Sequence, residues 1–316
     1  MSHPWKSLTE AFVLDSVESV IGRKLSNVCI QRNSYINRVF ELQWVDGSQT
    51  LIAKFYRPSR WTREMIDTEQ NFVATLSRAE LPVIAPLRFG EQSLFQTQEF
   101  LFALFPKKGG RAIDEFDKET WLQVGRLLGR THLISATLPP TQRIEWRPAV
   151  ASTKHLEILA AQGLMTPEFQ KPLFSTCQAF IKRFDPLFDD ADRLILHGDC
   201  HRGNLIYRPD EGIYLIDFDD MASGPAVQDL WMLLPGTPEQ CEQELAWFLE
   251  GYETFRDFPR SSLSFTPALR GMRLIHFAAW CALQADEPEF INHFPEWGSS
   301  RYWNELIKDL QELVWL

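Results

Sequence analysis

The chain has 316 residues and a formal net charge of −10, with 32 Lys and Arg against 42 Asp and Glu, which argues against the basic stripe of a nucleic-acid-binding surface. Its hydrophobic share of 45% and charged share of 23% are those of a folded globular protein, and its length accommodates two modest domains. From the N-terminus, apolar spacing predicts a helix over residues 8–21. Val39-Phe40-Glu41-Leu42-Gln43-Trp44 then alternates at period two, Asp46-Gly47 marks a hairpin turn, and residues 50–56 read as the returning strand. Arg57-Pro58 ends that strand. Residues 61–78 have helical spacing, with Ile66, Phe72, Val73 and Leu76 on the buried side. Further strands are expected at Leu87-Arg88-Phe89 and Phe100-Leu101-Phe102-Ala103-Leu104-Phe105, after which Pro106 and Gly109-Gly110 break the pattern.

Beyond that break the character turns helical, over residues 120–136, 151–162 and 168–188. Only short strands interrupt, at Leu194-Ile195-Leu196, Leu205-Ile206-Tyr207 and Tyr214-Leu215-Ile216. The expected fold class is α+β, with a β-rich N-terminal lobe (residues 1–105) and a larger, mainly helical C-terminal lobe (residues 106–316). Cys29, Cys177, Cys200, Cys241 and Cys281 are scattered and never in C-x-x-C spacing, the usage of a reduced compartment. Residues 1–6 lack the apolar run of a signal peptide. The most apolar helical stretch, residues 268–283, carries Arg270, Arg273 and His276, and is shorter than the roughly 20 residues that span a bilayer. A cytoplasmic monomer without membrane or nucleic-acid partners is expected.

Chemistry concentrates between residues 196 and 219. In His197-Gly198-Asp199-Cys200-His201-Arg202-Gly203-Asn204, Asp199 and Asn204 stand at the Asp-x-x-x-x-Asn spacing of a kinase catalytic loop, and Asp217 ends an apolar strand further on. Phosphoryl transfer needs these residue types. A carboxylate takes the proton of the acceptor hydroxyl, while an amide and a second carboxylate hold Mg²⁺ against the phosphates of ATP. An Asp and an Asn in a Gly-containing loop often only cap turns. Here the loop is entered and left by apolar strands, and the combination with Asp217 favours catalysis. Zinc bound by His197, Cys200 and His201 is the competing chemistry, but the sequence has no second Cys/His cluster to complete four ligands.

Lys54 lies in the apolar strand Leu51-Ile52-Ala53-Lys54-Phe55 and needs a partner if it points inward, with Glu69 in the next helix the natural one and Glu64 the fallback. Asn33-Ser34-Tyr35-Ile36-Asn37-Arg38-Val39 occupies the position of a phosphate loop without any glycine, leaving Ser34 and backbone N–H groups to meet phosphate oxygens. Asp229, in the apolar Val227-Gln228-Asp229-Leu230-Trp231, reads as a structural acceptor for catalytic-loop backbone. Asp219 and Asp220 read as solvated or supporting carboxylates.

Leu196-His197-Gly198-Asp199 through Asn204, with Ile216-Asp217 after it, resembles the aminoglycoside phosphotransferase/choline kinase superfamily, and more closely the bacterial YihE/RdoA stress-response kinases. The supporting runs are Asn33-Ser34-Tyr35 with Asn37-Arg38-Val39, Lys54-Phe55-Tyr56-Arg57-Pro58 with Arg60-Trp61-Thr62, Gly109-Gly110-Arg111, and residues 224–234. The resemblance implies a two-lobed protein-kinase-like fold and a serine/threonine protein kinase dependent on ATP and Mg²⁺, active in stress response. It implies Asp199 as catalytic base together with Asp217, Asn204 and Asp217 as magnesium ligands, and Ser34 and Lys54, backed by Glu69, as ATP contacts. Asp217 is followed by Phe218-Asp219 rather than Phe-Gly, and no Ala-Pro-Glu marker follows, so an activation-loop switch is not expected.

The main rival is a small-molecule kinase of the same fold acting on an amino alcohol, amino acid or aminoglycoside. Residues 145–192, expected to build the acceptor side, carry no motif that separates the two. A non-catalytic nucleotide-binding regulator is disfavoured because Lys54, Asp199, Asn204 and Asp217 are all present.

Overall fold

The computed structural model describes residues 5–34, 36–287 and 290–315. In chain order the principal elements are α1 (Glu10–Ile21), β1 (Leu25–Arg32), β2 (Arg38–Trp44), β3 (Thr50–Phe55), α2 (Arg63–Arg78), β4 (Leu94–Thr97), β5 (Phe100–Pro106), β6 (Arg111–Ala112), α3 (Lys118–Ser135), α4 (Thr153–Gln162), α5 (Pro167–Phe184), β7 (Leu194–Leu196), β8 (Leu205–Arg208), β9 (Gly212–Leu215), β10 (Ala222–Gly224), α6 (Gln228–Trp231), α7 (Glu242–Tyr252), α8 (Thr266–Ala282), α9 (Phe290–His293) and α10 (Ser300–Trp315). They fall into two compact units, one of residues 1–115 and 202–219, the other of residues 116–201 and 220–316. Among the described residues no helix is long and apolar enough to cross a membrane.

In the first unit, five antiparallel strands run in the order β1-β2-β3-β5-β4. Strand alternation sends Phe40 and Leu42, Leu51, Ala53 and Phe55, and Phe100, Phe102 and Leu104 into one core with Val13 and Val17 of α1. Phe55 stacks on Phe102 with centroids 4.9 Å apart. Each such fully buried ring contributes on the order of 1.5–3 kcal/mol. The opposite face carries Ala103 toward Ile66 of α2. Thr62 caps α2 by accepting from the Met65 N–H at 3.3 Å, and Thr9 caps α1 in the same way through the Phe12 N–H.

One strand expectation changes, and one strand was not expected. Leu87-Arg88-Phe89 is not a strand: the Leu87 N–H reaches the Leu104 carbonyl, Phe89 makes a single bridge to Gln92, and the strand proper is β4. β1 is an edge strand with only Leu25 buried, so it lacks the apolar alternation that marks β2 and β3.

A second, three-stranded sheet of order β6-β8-β9 completes the first unit. It joins residues 111–112 to the hairpin formed by residues 205–215, and Leu215 also donates its N–H to Pro82 at 3.0 Å.

The second unit is mainly helical. Its only paired strands among the described residues are β7 and β10, which meet antiparallel from Leu194↔Gly224 to Leu196↔Ala222. α3 and α7 approach closely because glycines line their contact. A Cβ on Gly125 would lie 2.2 Å from the Phe248 carbonyl oxygen, and one on Gly251 would lie 2.2 Å from that of Leu122.

Candidate functional site

Strand alternation decides the place of Lys54. Its neighbours Ala53 and Phe55 point into the core beneath α1, so Lys54 points to the other face, the side of α2. There its Nζ pairs with Asp219 Oδ1 at 2.6 Å and Asp217 Oδ1 at 3.1 Å. Burial opposes the charge, but Asp217 and Asp219, with Tyr56 and Glu69, hold the ammonium well above the ordinary lysine value. Glu69, the partner expected from sequence, is buried and acts on Lys54 through its charge while its Oε1 accepts from the Tyr56 hydroxyl at 3.5 Å. The carboxylates in direct contact with the lysine come instead from the segment after β9.

Of the two readings of Asp219, solvated or supporting, its surroundings fit the second. It is buried and holds three side chains of the unit, Lys54, Asn37 and Arg60. Besides Lys54 it takes the Asn37 amide N–H on Oδ2 and lies 3.5 Å from Nη1 of Arg60. Asn37 in turn accepts the Arg57 N–H at 3.1 Å through Oδ1. Two of the runs quoted for the family resemblance thus meet on one carboxylate, a convergence no local pattern reveals.

Asn204 and Asp217, separated by twelve residues in sequence, are brought together by the β8–β9 hairpin. Leu205 pairs with Leu215, and the Ile216 N–H donates to the Asn204 carbonyl at 3.0 Å, so both side chains belong to the same end of that hairpin. Asn204 is buried, whereas the Asp217 side chain is 53% exposed. Asp217 also has φ +63°, the left-handed region that Asp and Asn tolerate better than other non-glycine residues. Ser34 lies in the loop between β1 and β2, with its carbonyl 3.5 Å from Arg38 Nη1, and Tyr35 beside it lies outside the described residues. The donors that Asn204 and Asp217 offer are all oxygens, one neutral and one anionic, which suits a hard divalent cation such as Mg²⁺.

In the second unit the loop after β7 is fixed from both sides. Asp229, fully buried at the start of α6, accepts the N–H of His197 on Oδ2 and of Gly198 on Oδ1, each at 2.8 Å. The Gly198 carbonyl accepts from Gln228 Nε2 at 2.9 Å and from Trp146 Nε1 at 3.4 Å. Gly198 has φ +84°, and a Cβ there would lie 2.0 Å from the Asp220 carbonyl oxygen, so only glycine fits. Burial works against the charge of Asp229. A hydrogen bond from His132 Nε2 at 3.0 Å, with the loop amides, nonetheless holds its carboxyl below the usual range. His132 Nε2 is the donor to the Asp229 carboxylate, and its Nδ1 lies 2.9 Å from the Tyr252 hydroxyl.

Asp199 follows directly. Its Oδ1 lies 2.8 Å from Arg273 Nη2, and its Oδ2 lies 3.5 Å from His201 Nε2. Burial raises its carboxyl and Asp220 adds to that, but His201 and Arg273 outweigh them and leave it below the ordinary aspartate value. It is therefore ionised at neutral pH, as a general base must be. The zinc alternative finds no support in this arrangement. Cys200 is buried while His201 is turned toward Asp199, and among the described residues no three His, Cys, Asp or Glu side chains are grouped to hold a metal ion.

Residues 29–263 match the phosphotransferase enzyme family. Over 282 residues the chain is 36% identical to stress response kinase A of Escherichia coli K12, covering 86% of this chain and 82% of that protein. It is 35% identical, over the same shares, to the serine/threonine protein kinase RdoA of Salmonella typhimurium LT2. Among solved structures, amicoumacin kinase hAmiN, determined in complex with AMP-PNP, Ca²⁺ and Ami, superposes with a TM-score of 0.75 at 18% identity over 96% of this chain and 93% of that one, a likeness of fold. Coverage of most of the chain by both the family and these relatives leaves one conclusion: the chain belongs to the phosphotransferase enzyme family, as a homologue of stress response kinase A.

Proposed function

We propose that the chain is an ATP- and Mg²⁺-dependent serine/threonine protein kinase acting in bacterial stress response. The observation that supports the chemistry best lies within the first unit: Lys54 pairs with Asp217, and Asp217 shares one hairpin end with Asn204. The protein acceptor is supported by the identity of 36% to stress response kinase A.

In this reading Lys54 contacts the phosphates of ATP, Ser34 contributes from the β1–β2 loop, and Glu69 and Asp219 keep the lysine charged and in place. Asn204 and Asp217 are the residues that would hold Mg²⁺, which would supply charge neutralisation at the phosphates. Asp199 accepts the proton of the acceptor hydroxyl as the hydroxyl oxygen attacks the γ-phosphorus and the bond to the bridging oxygen breaks, releasing ADP, and Asp229 keeps its loop in register. The first unit thus serves the nucleotide and the second serves the acceptor.

Incubation with γ-labelled Mg·ATP, dephosphorylated casein and a panel of amino alcohols tests the reading. Label on serine or threonine of casein, lost in Asp199→Ala, is the expected result. Label in an amino alcohol alone overturns the protein acceptor.

A further inference from the structure

The two oxygens of Asp199 have different surroundings. Oδ1 is sealed from solvent and lies against Arg273 of α8, whereas Oδ2 faces His201 at the longer distance of 3.5 Å. We propose that Arg273 is the positioning residue of Asp199, clamping Oδ1 so that Oδ2 is the oxygen presented to the acceptor hydroxyl. The inference rests on reading Asp199 as the general base.

Arg273 is itself held. Its Nη1 lies 3.5 Å from Nδ1 of His276, one turn along α8. The His276 ring stacks on His155 with centroids 4.7 Å apart and meets Trp146 edge-on at 5.6 Å. Trp146 returns to the loop by donating to the Gly198 carbonyl. The path from Asp199 through Arg273, His276 and Trp146 back to Gly198 is therefore a closed circuit, all of it within the second unit. Burial, with Arg273 acting in the same direction, lowers the His155 pKa to about 4 despite Asp220, so its ring is neutral at physiological pH and stacks on His276 without adding a positive charge beside the clamp.

A clamp of this kind matters because a general base must present a lone pair along the proton's path, and a misplacement of about 1 Å costs on the order of a hundredfold in rate. A carboxylate free to rotate about χ2 would present either oxygen. An ion pair between Nη2 and one oxygen at 2.8 Å restrains that freedom, and a lysine, a point charge on a flexible stem, does so less well. Arg273 also adds positive charge to the aspartate's surroundings, where His201 acts in the same direction and Asp220 in the opposite one.

The test compares Arg273→Gln, Arg273→Lys and Asp199→Asn, with Mg·ATP and dephosphorylated casein as probes. In Arg273→Gln, kcat should fall roughly tenfold to a hundredfold while the Kd for Mg·ATP stays within about twofold. Loss of the cation raises the Asp199 pKa, so the acid limb of kcat/KM should move up by about one pH unit. Carboxyl carbon NMR titration of the nucleotide-free protein, with the Asp199 signal assigned by its absence in Asp199→Asn, should show the same shift. Arg273→Lys should leave the limb in place and still lose at least about fivefold in kcat. An unmoved limb and titration in Arg273→Gln, or full kcat in Arg273→Lys should the glutamine variant not fold, overturns the clamp. Wild-type turnover in Asp199→Asn instead overturns the base on which it rests.

Discussion

Asp217 and Asp219 are two residues apart and share Lys54, yet their surroundings prepare them for different work. Asp217 is half exposed, in left-handed backbone, and 3.1 Å from the ammonium. Asp219 is buried, closer to the same ammonium at 2.6 Å, and committed to Asn37 and Arg60 as well. An exposed carboxylate with a long ion pair can turn to a metal at little cost, whereas a buried one with several partners cannot. Asp217→Asn, which tolerates the same backbone region, should fold normally and lose Mg²⁺-dependent ATP affinity. Calorimetry with and without the metal checks this, and unchanged affinity counts against the ligand role. Asp219→Asn should cost about 1–3 kcal/mol in denaturant unfolding, because a buried charged partner of Lys54 is removed, and should raise the KM for ATP. Wild-type stability and KM together would leave Asp219 with no anchoring role. Sequence reading identified Lys54 and Asp217 by type and strand context, but it assigned the lysine's contact to Glu69. Direct contact belongs to Asp217 and Asp219 because the segment after β9, which ends in a 3₁₀ turn over Phe218–Asp220, carries both carboxylates to the Lys54 ammonium, a tertiary event with no local signature.

Elements were legible in proportion to how much of one face each buries. β2 alternates because one of its faces sits in the core, β5 reads as an apolar run because both of its faces are covered, and α2 shows its Ile66, Phe72, Val73 and Leu76 stripe because one side of it is buried. β1 and the two-residue β6 bury little and left no pattern. The α3–α7 contact depends on what is missing from Gly125, Gly129 and Gly251, and missing side chains have no periodicity to read. It yields a prediction at this scale. Gly125→Ala places a Cβ into the Phe248 carbonyl, so the helices must separate, at a cost of about 1–3 kcal/mol measured by denaturant unfolding. Helix propensity alone would make the same change stabilising by roughly 1 kcal/mol. The sign of the measured change therefore decides whether the close packing governs.

At the scale of the whole molecule, the hairpin of residues 205–215 leaves the helical stretch around it and joins the first unit through β6 and Pro82. The chain therefore enters the second unit, leaves it after His201 and returns at Asp220. Asn204 and Asp217 lie on the excursion, and Asp199 lies just before it. A ligand held by residues of the first unit should stabilise the native protein by mass action. At a hundredfold excess over Kd, Mg·ATP should add about 2.7 kcal/mol to unfolding. Differential scanning with Mg·ATP, ATP without metal and Mg²⁺ alone reads this out, and equal stabilisation by ATP with and without metal would remove Mg²⁺ from the proposed site.

Residue type and spacing alone were enough to specify the chemistry class, because Asp-x-x-x-x-Asn between apolar strands, followed by a strand-ending aspartate and preceded by a strand lysine, is a short-range pattern set by what phosphoryl transfer requires. Asp229 was legible for a similar reason, since a carboxylate in an apolar helix must find donors. The partners of each charge were decided only by the fold. Asp219 on Lys54 and Arg273 on Asp199 join residues 165 and 74 positions apart, and such contacts depend on how sheets and helices close on one another. Local periodicity records which face of an element is buried; it carries no record of which distant side chain arrives there.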